Sequence, residues 1–139
     1  MKKVLLAGIL SLVVLTGCGK KETITCTQSQ STMGVKLEAV VKVELEGNKF
    51  KGIDMVIDAI LPEKYMDQKD TFVKSFEKQY ASFESKYGVK PVVSESEQGV
   101  KVTANMSAEQ AKKFSGSNND KATRKDVIDT FGKQGYTCE

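Results

Sequence analysis

The sequence contains no histidine. The usual general base near neutral pH is therefore absent. That excludes Ser-His-Asp and Cys-His nucleophile systems and histidine-ligated metal sites. Arginine is nearly absent too: Arg124 stands alone among basic residues that are otherwise lysine. Arginine is the better bidentate partner of phosphate and carboxylate, so its scarcity argues against a dedicated phosphate site. A lysine-rich proteome would give the same bias. No Walker-type or dinucleotide-binding glycine pattern occurs, and neither does Cys-x-x-Cys or an internal repeat of the usual lengths. The formal charge of +3 includes Lys2 and Lys3 at the extreme N-terminus, so the rest of the chain is close to neutral. A near-neutral chain is not a nucleic-acid binder by charge. At 139 residues there is enough chain for one modest core.

What is present begins at the N-terminus. Met1-Lys2-Lys3 is a short positive segment, and Val4 to Leu15 is apolar apart from Gly8 and Ser11. The apolar stretch suits a signal-peptide core and is too short for a membrane-spanning helix. Leu15-Thr16-Gly17-Cys18 then resembles the lipobox of bacterial lipoproteins. The resemblance implies that residues 1–17 are a cleaved signal peptide and that Cys18 becomes the lipid-bearing first residue. The alternative is an ordinary signal peptide with a chance cysteine. Two or three acyl chains suffice for stable anchoring. Residues 18–22 would form the lipidated end and a short tether, reaching about 15 Å at about 3.3–3.6 Å per residue. The domain at 23–139 is then held close to the membrane surface. Lys20 and Lys21 would lie near headgroups, worth about 1 kcal/mol each on an anionic leaflet, or simply form a solvated linker.

With Cys18 lipidated, Cys26 and Cys138 remain. Two cysteines in an exported chain suggest one disulfide. It would join the start of the domain to its end, and for so long a loop the chain-entropy model gives about 4.7 kcal/mol. Its expected role is to pin a terminal strand against the first strand.

Strand patterns dominate the first part of the domain. Thr23 to Met33 is rich in Thr, Ser and Gln, as in an exposed or edge strand. From Lys36 to Glu46, Leu37, Ala39, Val41, Val43 and Leu45 alternate with charged residues, with Val40 as the one apolar intruder. That is the period-2 pattern of a half-buried antiparallel strand. Gly47-Asn48 signals a hairpin into a strand from Lys49 to Ile60, which Leu61-Pro62 ends.

Asp67 to Tyr87 reads as one long amphipathic helix. Phe72, Phe76, Tyr80, Phe83 and Tyr87 recur at helical spacing, and Gly88 is a natural C-cap. The aromatic stripe is expected to cover the sheet as core rather than to bind a ligand. Val89–Ser96 and Val100–Met106 predict a second hairpin around Glu97-Gln98-Gly99. Ser107-Ala108-Glu109-Gln110 is a capping box opening a helix to about Phe114. Residues 115–120 form a polar loop. Thr123 caps a last helix with Asp126 at N3, Val127, Ile128 and Phe131 form its buried edge, and Tyr136-Thr137-Cys138 is a final strand. The order predicts an α+β domain, an antiparallel β-sheet with helices packed on one face.

A lipobox followed at once by a hairpin, a helix containing Phe72 to Phe83 and ending in Lys86-Tyr87-Gly88-Val89, a hairpin with Gly99-Val100-Lys101-Val102, and a closing Gly135-Tyr136 step together resemble the small YehR-like bacterial lipoproteins, whose function is uncharacterised. The resemblance implies the same sheet-and-helix fold and the membrane location. It brings no catalytic residues.

Three sets of residues could still carry chemistry. Asp54 and Asp58 share a strand face and would suit glycoside hydrolysis only as a carboxylate pair; a solvated face is the plainer reading. Asn118, Asn119 and Asp120 offer oxygens to calcium but lack EF-hand spacing. Met33, Met55, Met66 and Met106 could suggest Cu(I), yet sit where core or loop filling is expected. Neither catalytic residues nor a metal or cofactor is therefore assigned. The sequence favours a non-catalytic envelope module on the extracytoplasmic side of the cell membrane, anchored by lipid at Cys18 and binding an envelope protein. The Thr/Ser/Gln strand could offer a sheet edge for strand addition, unless the strand bearing Cys138 already covers it. The alternative is a carrier of a lipid or peptide held between helix and sheet. Cys18→Ser is expected to abolish incorporation of a palmitate analogue and leave the 15.2 kDa precursor uncut; labelling of that variant would overturn the lipobox assignment.

Overall fold

In a computed structural model, residues 21–115 and 122–139 are described, and the proposed signal peptide, Cys18, Lys20 and the Asn118–Asp120 loop lie outside them. The sheet is built from β1 (Lys21–Thr32), β2 (Val35–Glu46), β3 (Lys49–Ile60), β4 (Val92–Ser96), β5 (Gly99–Ser107) and β6 (Thr137–Cys138). All neighbours are antiparallel, in the order β4-β5-β3-β2-β1-β6. The α-helices are α1 (Lys69–Gln79), α2 (Ala81–Tyr87), α3 (Ala108–Ser115) and α4 (Arg124–Lys133), with a 3-10 segment at Glu63–Gln68 leading into α1. The α+β expectation holds.

Alternation in β2 decides which face is buried. Val41, Val43 and Leu45 are buried, and their cross-strand partners Cys26, Ile24, Met55, Ile53 and Phe50 are buried with them. On β5 the same face carries Val100, Val102, Ala104 and Met106, all buried. Val127 and Phe131 of α4, Ala111 of α3 and Val89 close the core from the helical side. At about 25 cal/mol per Å2 of apolar surface, this face is the main source of stability. The opposite face is mostly polar. Lys42 pairs across from Asp54, and Glu38 across from Asp58, which lies beside Lys101.

One irregularity matters for packing. Leu45 lies opposite Phe50 while Glu44 lies opposite Gly52, so Lys51 is an extra residue in β3. This bulge lets Phe50 and Ile53 both face inward although they are three positions apart. Gly99 is the tightest glycine. Its φ is +154°, and a Cβ there would stand 2.1 Å from the Ala59 carbonyl oxygen.

The expected long helix is broken. Tyr80 (φ −96°, ψ 5°) ends α1 and begins α2. Each segment has its own partner: α1 lies over β4 and β5, whereas α2 meets α3. The break turns Phe83 and Tyr87 toward Phe114, with ring centroids 5.9 and 5.5 Å away. No residue of α1 or α2 is fully buried, so the aromatic stripe is a half-buried cover and only Phe83 and Tyr87 pack against the core. β4 starts at Val92 rather than Val89, after Pro91. Met33 is not in the strand but in the β1–β2 turn, with φ +53°.

The caps follow expectation. Gln110 N–H donates to Ser107 Oγ (3.3 Å), and Ser107 N–H donates back to Gln110 Oε1 (2.9 Å). Thr123 and Asp126 form the reciprocal box on α4, at 3.2 and 2.9 Å. Gly88 closes α2 in the left-handed region. Thr123→Ala is expected to lower the unfolding free energy by about 1 kcal/mol. Gly99→Ala should cost more, about 3 kcal/mol, because backbone rather than a side chain blocks the new methyl. Urea titration of both variants checks the ranking.

Candidate functional site

The strand expected to form an edge does so only in part. Thr25 exchanges two backbone hydrogen bonds with Glu139, N–H to O at 3.0 Å and O from N–H at 2.9 Å. Cys26 lies opposite Cys138, and Thr27 opposite Thr137. The pairing stops there, so β6 covers the middle of a strand of 12 residues. The Cys26 and Cys138 sulfurs are at disulfide distance, 2.05 Å. Cys26 is fully buried, while Cys138 is half-buried.

In an antiparallel ladder the backbone groups of alternate residues point to the same side. Thr25 faces β6, so Thr27, Ser29 and Ser31 face that side as well. Thr27 lies opposite Thr137, but among the described residues none pairs with Ser29 or Ser31 on this side; their partners Glu38 and Lys36 are on β2. The inward side of this stretch is touched at one point, where Gln28 Nε2 donates to the Gln134 carbonyl at 2.9 Å. No charged residue occurs between Glu22 and Lys36, and no proline. Beyond Thr32 the chain ends the hairpin at Met33, which is 87% exposed.

The other edge of the sheet is guarded. β4 has five residues, follows Pro91 and carries Glu95. Lys69 Nζ donates to the Ser96 and Glu97 carbonyls at 2.7 and 3.1 Å. Short length, proline and charge are the usual protections of an edge strand. The Gln28–Thr32 stretch has none of them.

How firmly is β6 held? Fixing one residue's backbone costs about 1–2 kcal/mol. Each backbone hydrogen bond gives about 0.5–1.5 kcal/mol net. For so short a strand these nearly cancel, so the sulfur bridge and the packing of Tyr136 on Phe131 (centroids 5.5 Å apart) decide whether it stays.

The remaining candidates do not assemble. Asp54 accepts from Asn105 Nδ2, and Asp58 lies 3.9 Å from Lys101 Nζ. Four steps along the strand separate the two by about 13 Å, beyond the carboxylate spacing of about 5–9.5 Å that glycoside hydrolysis uses. Met55 and Met106 fill the core, Met33 is exposed and Met66 lies in the 3-10 segment. Among the described residues no three His, Cys, Asp or Glu side chains gather as metal ligands, and no helix is long and apolar enough to cross a membrane. Two open grooves flank the entry to β4, of about 450 and 530 Å3, one beside Asn105 and Gln110 and the other beneath Tyr80 and Glu84.

Compared with known protein families, curated proteins and solved structures, the chain matches none.

Two phenols have shifted acidity. Burial pushes Tyr80 above its usual 10.0, with Tyr136 adding to the effect, and burial raises Tyr136 as well. Each therefore keeps its proton to higher pH in the folded state than in the unfolded one. The associated stability is complete below about pH 10 and is lost as pH rises beyond it. The urea midpoint is expected to fall above pH 10, and less steeply in the Tyr80→Phe/Tyr136→Phe protein. An equal slope in both would show that other groups govern the alkaline limb.

Proposed function

We propose that the protein is an exported lipoprotein, anchored by lipid at Cys18 on the extracytoplasmic side of the cell membrane. Its domain is a non-catalytic module that binds an envelope protein by strand addition along β1. The observation that carries this reading is the contrast between the two sheet edges. Natural sheets suppress unpaired edges because they recruit other chains; here β4 is protected along its length, whereas β1 is covered only at Thr25–Thr27. The uncovered backbone groups of Ser29 and Ser31 would supply the hydrogen bonds of an added strand. The absence of charged residues from Thr23 to Val35 suits an extended segment that carries little charge itself.

The test is crosslinking of the lipidated protein in living cells, followed by gentle solubilisation and mass spectrometry. One dominant, stoichiometric envelope protein is expected. Ser29→Pro removes an edge N–H, and Ser31→Lys adds the missing edge charge. Both should cut its recovery at least tenfold while the protein stays folded by circular dichroism. Undiminished recovery with both variants would exclude strand addition at this edge.

A second reading has its own support. Tyr80, stacked on Phe76 with centroids 6.5 Å apart, lines the larger of the two open grooves together with Pro91, Val92 and Val93. A lipid or peptide held there would make the protein a small-ligand carrier. Excess lipid in native mass spectra, beyond the covalent anchor, would favour it over the interaction module.

A further inference from the structure

We propose that β6 is an intramolecular occupant of the docking edge and that the Cys26–Cys138 bridge is the lock holding it there. The proposal rests on the reading of β1 as a docking strand. With the bridge closed, the C-terminal segment divides the unpaired edge into two short stretches, Lys21–Thr23 on one side and Ser29–Ser31 near the β1–β2 turn on the other. With the bridge reduced, β6 leaves and the edge runs without interruption from Thr23 to Thr32.

Three observations converge on this device. First, β6 takes the place an added strand would take. It lies opposite Thr27, and Glu139 just beyond it binds both backbone groups of Thr25, on the same side of β1 to which Ser29 and Ser31 point. Secondly, the C-terminal segment is too short to hold that place by pairing alone, since it meets β1 at only three positions, Thr25–Glu139, Cys26–Cys138 and Thr27–Thr137. Thirdly, the two sulfurs differ in access. Cys26 is fully buried and Cys138 is half-buried at the rim of the sheet. An attacking thiolate therefore meets Cys138 first.

The exchange needs a dithiol as reductant. One thiolate of the dithiol attacks Cys138 Sγ, the Sγ–Sγ bond breaks, and Cys26 leaves as a thiolate that takes up a proton. The second thiol of the dithiol then attacks the mixed disulfide and closes its own ring. Cys138 departs as a thiolate and is protonated in turn. The dithiol has lost two hydrogens and the protein has gained two thiols.

The test is amide hydrogen exchange on the full lipidated protein in detergent micelles, before and after dithiothreitol, with alkylation and mass counting the free thiols. After reduction the Thr25 amide is expected to exchange on the order of 100-fold faster and to reach the rate of Ser29, while Val41 and Val43 stay far slower, as for opening confined to one element. Cys138→Ser should reproduce this pattern without reductant. A terminally blocked Thr-Val-Thr-Val-Thr peptide should bind the reduced protein at least tenfold more tightly than the oxidised one. A slow Thr25 amide in the fully reduced protein overturns the proposal, because β6 then holds without its lock. Thr25 and Val41 accelerating to one common rate also overturns it, because the bridge is then a staple of the whole domain. Release of β6 with unchanged peptide affinity overturns the gating. The exchange readout needs no partner, so the lock can fail while the docking edge stands, and the capture experiment can fail while the lock operates.

Discussion

The rest of the structure depends on the one-sidedness of the central strands. β2, β3 and β5 each place apolar residues at every second position on one face, and the ladder aligns them row against row. Val41 meets Met55, Val43 meets Ile53, and Met55 and Ile53 in turn meet Ala104 and Met106. A face of that kind cannot remain in water. Among the described residues, helices of at most 11 residues are recruited to cover it. Three of them take different sectors, α1 over β4 and β5, α3 over β3 and β5, and α4 over β1 and β6, while α2 packs on α3. The break at Tyr80 follows from this division, since one straight rod could not serve both the β4 side and α3. The opposite face has no such demand and is mostly polar, with charges around one apolar pair, Val40 across from Val56.

A two-layer sheet of this size leaves two edges, and the chain treats them differently. At β4 it combines brevity, a preceding proline and a lysine tied to strand-end carbonyls. At β1 it relies on the C-terminal residues, which reach only part of the strand. Economy of chain explains the second arrangement as far as Thr27, where α4 delivers the final residues through Tyr136. It does not explain why Gln28 to Thr32 carry neither charge nor proline. The unprotected length is the reason the functional reading is placed there rather than in a groove.

Much of this was legible in residues read in order. The alternation of β2, the Gly47-Asn48 hairpin, the Ser107–Gln110 and Thr123–Asp126 capping boxes and the Cys26–Cys138 pairing all rest on local rules or on counting. What the sequence did not disclose depends on distant contacts. The aromatic spacing from Phe72 to Tyr87 fits a continuous helix, and only the position of Phe114 explains why it bends. Phe50 has no place in a strict alternation with Ile53, because the extra residue is visible only when β2 is set beside β3. Met33 extends a strand-like composition, yet the tight reversal at Gly34 draws it into the turn. The sequence supports the edge as one possibility beside a rival, cover by the last strand. Its extent could not be read, since that depends on where α4 releases the chain.

The extra residue in β3 has a consequence for how this domain can change its length. Along the regular part of a strand, losing one residue turns every following side chain to the opposite face. Between Phe50 and Gly52 that rule is suspended. Lys51 has no counterpart on β2, so its loss would leave Phe50 facing in, Gly52 facing out and Ile53 facing in, as ordinary alternation requires. The hairpin would become regular without any core residue changing sides. Single-residue deletions tolerated within β3 should therefore concentrate at Lys51, while those further along the strand would turn Met55, Ile57 and Ala59 out of the core together.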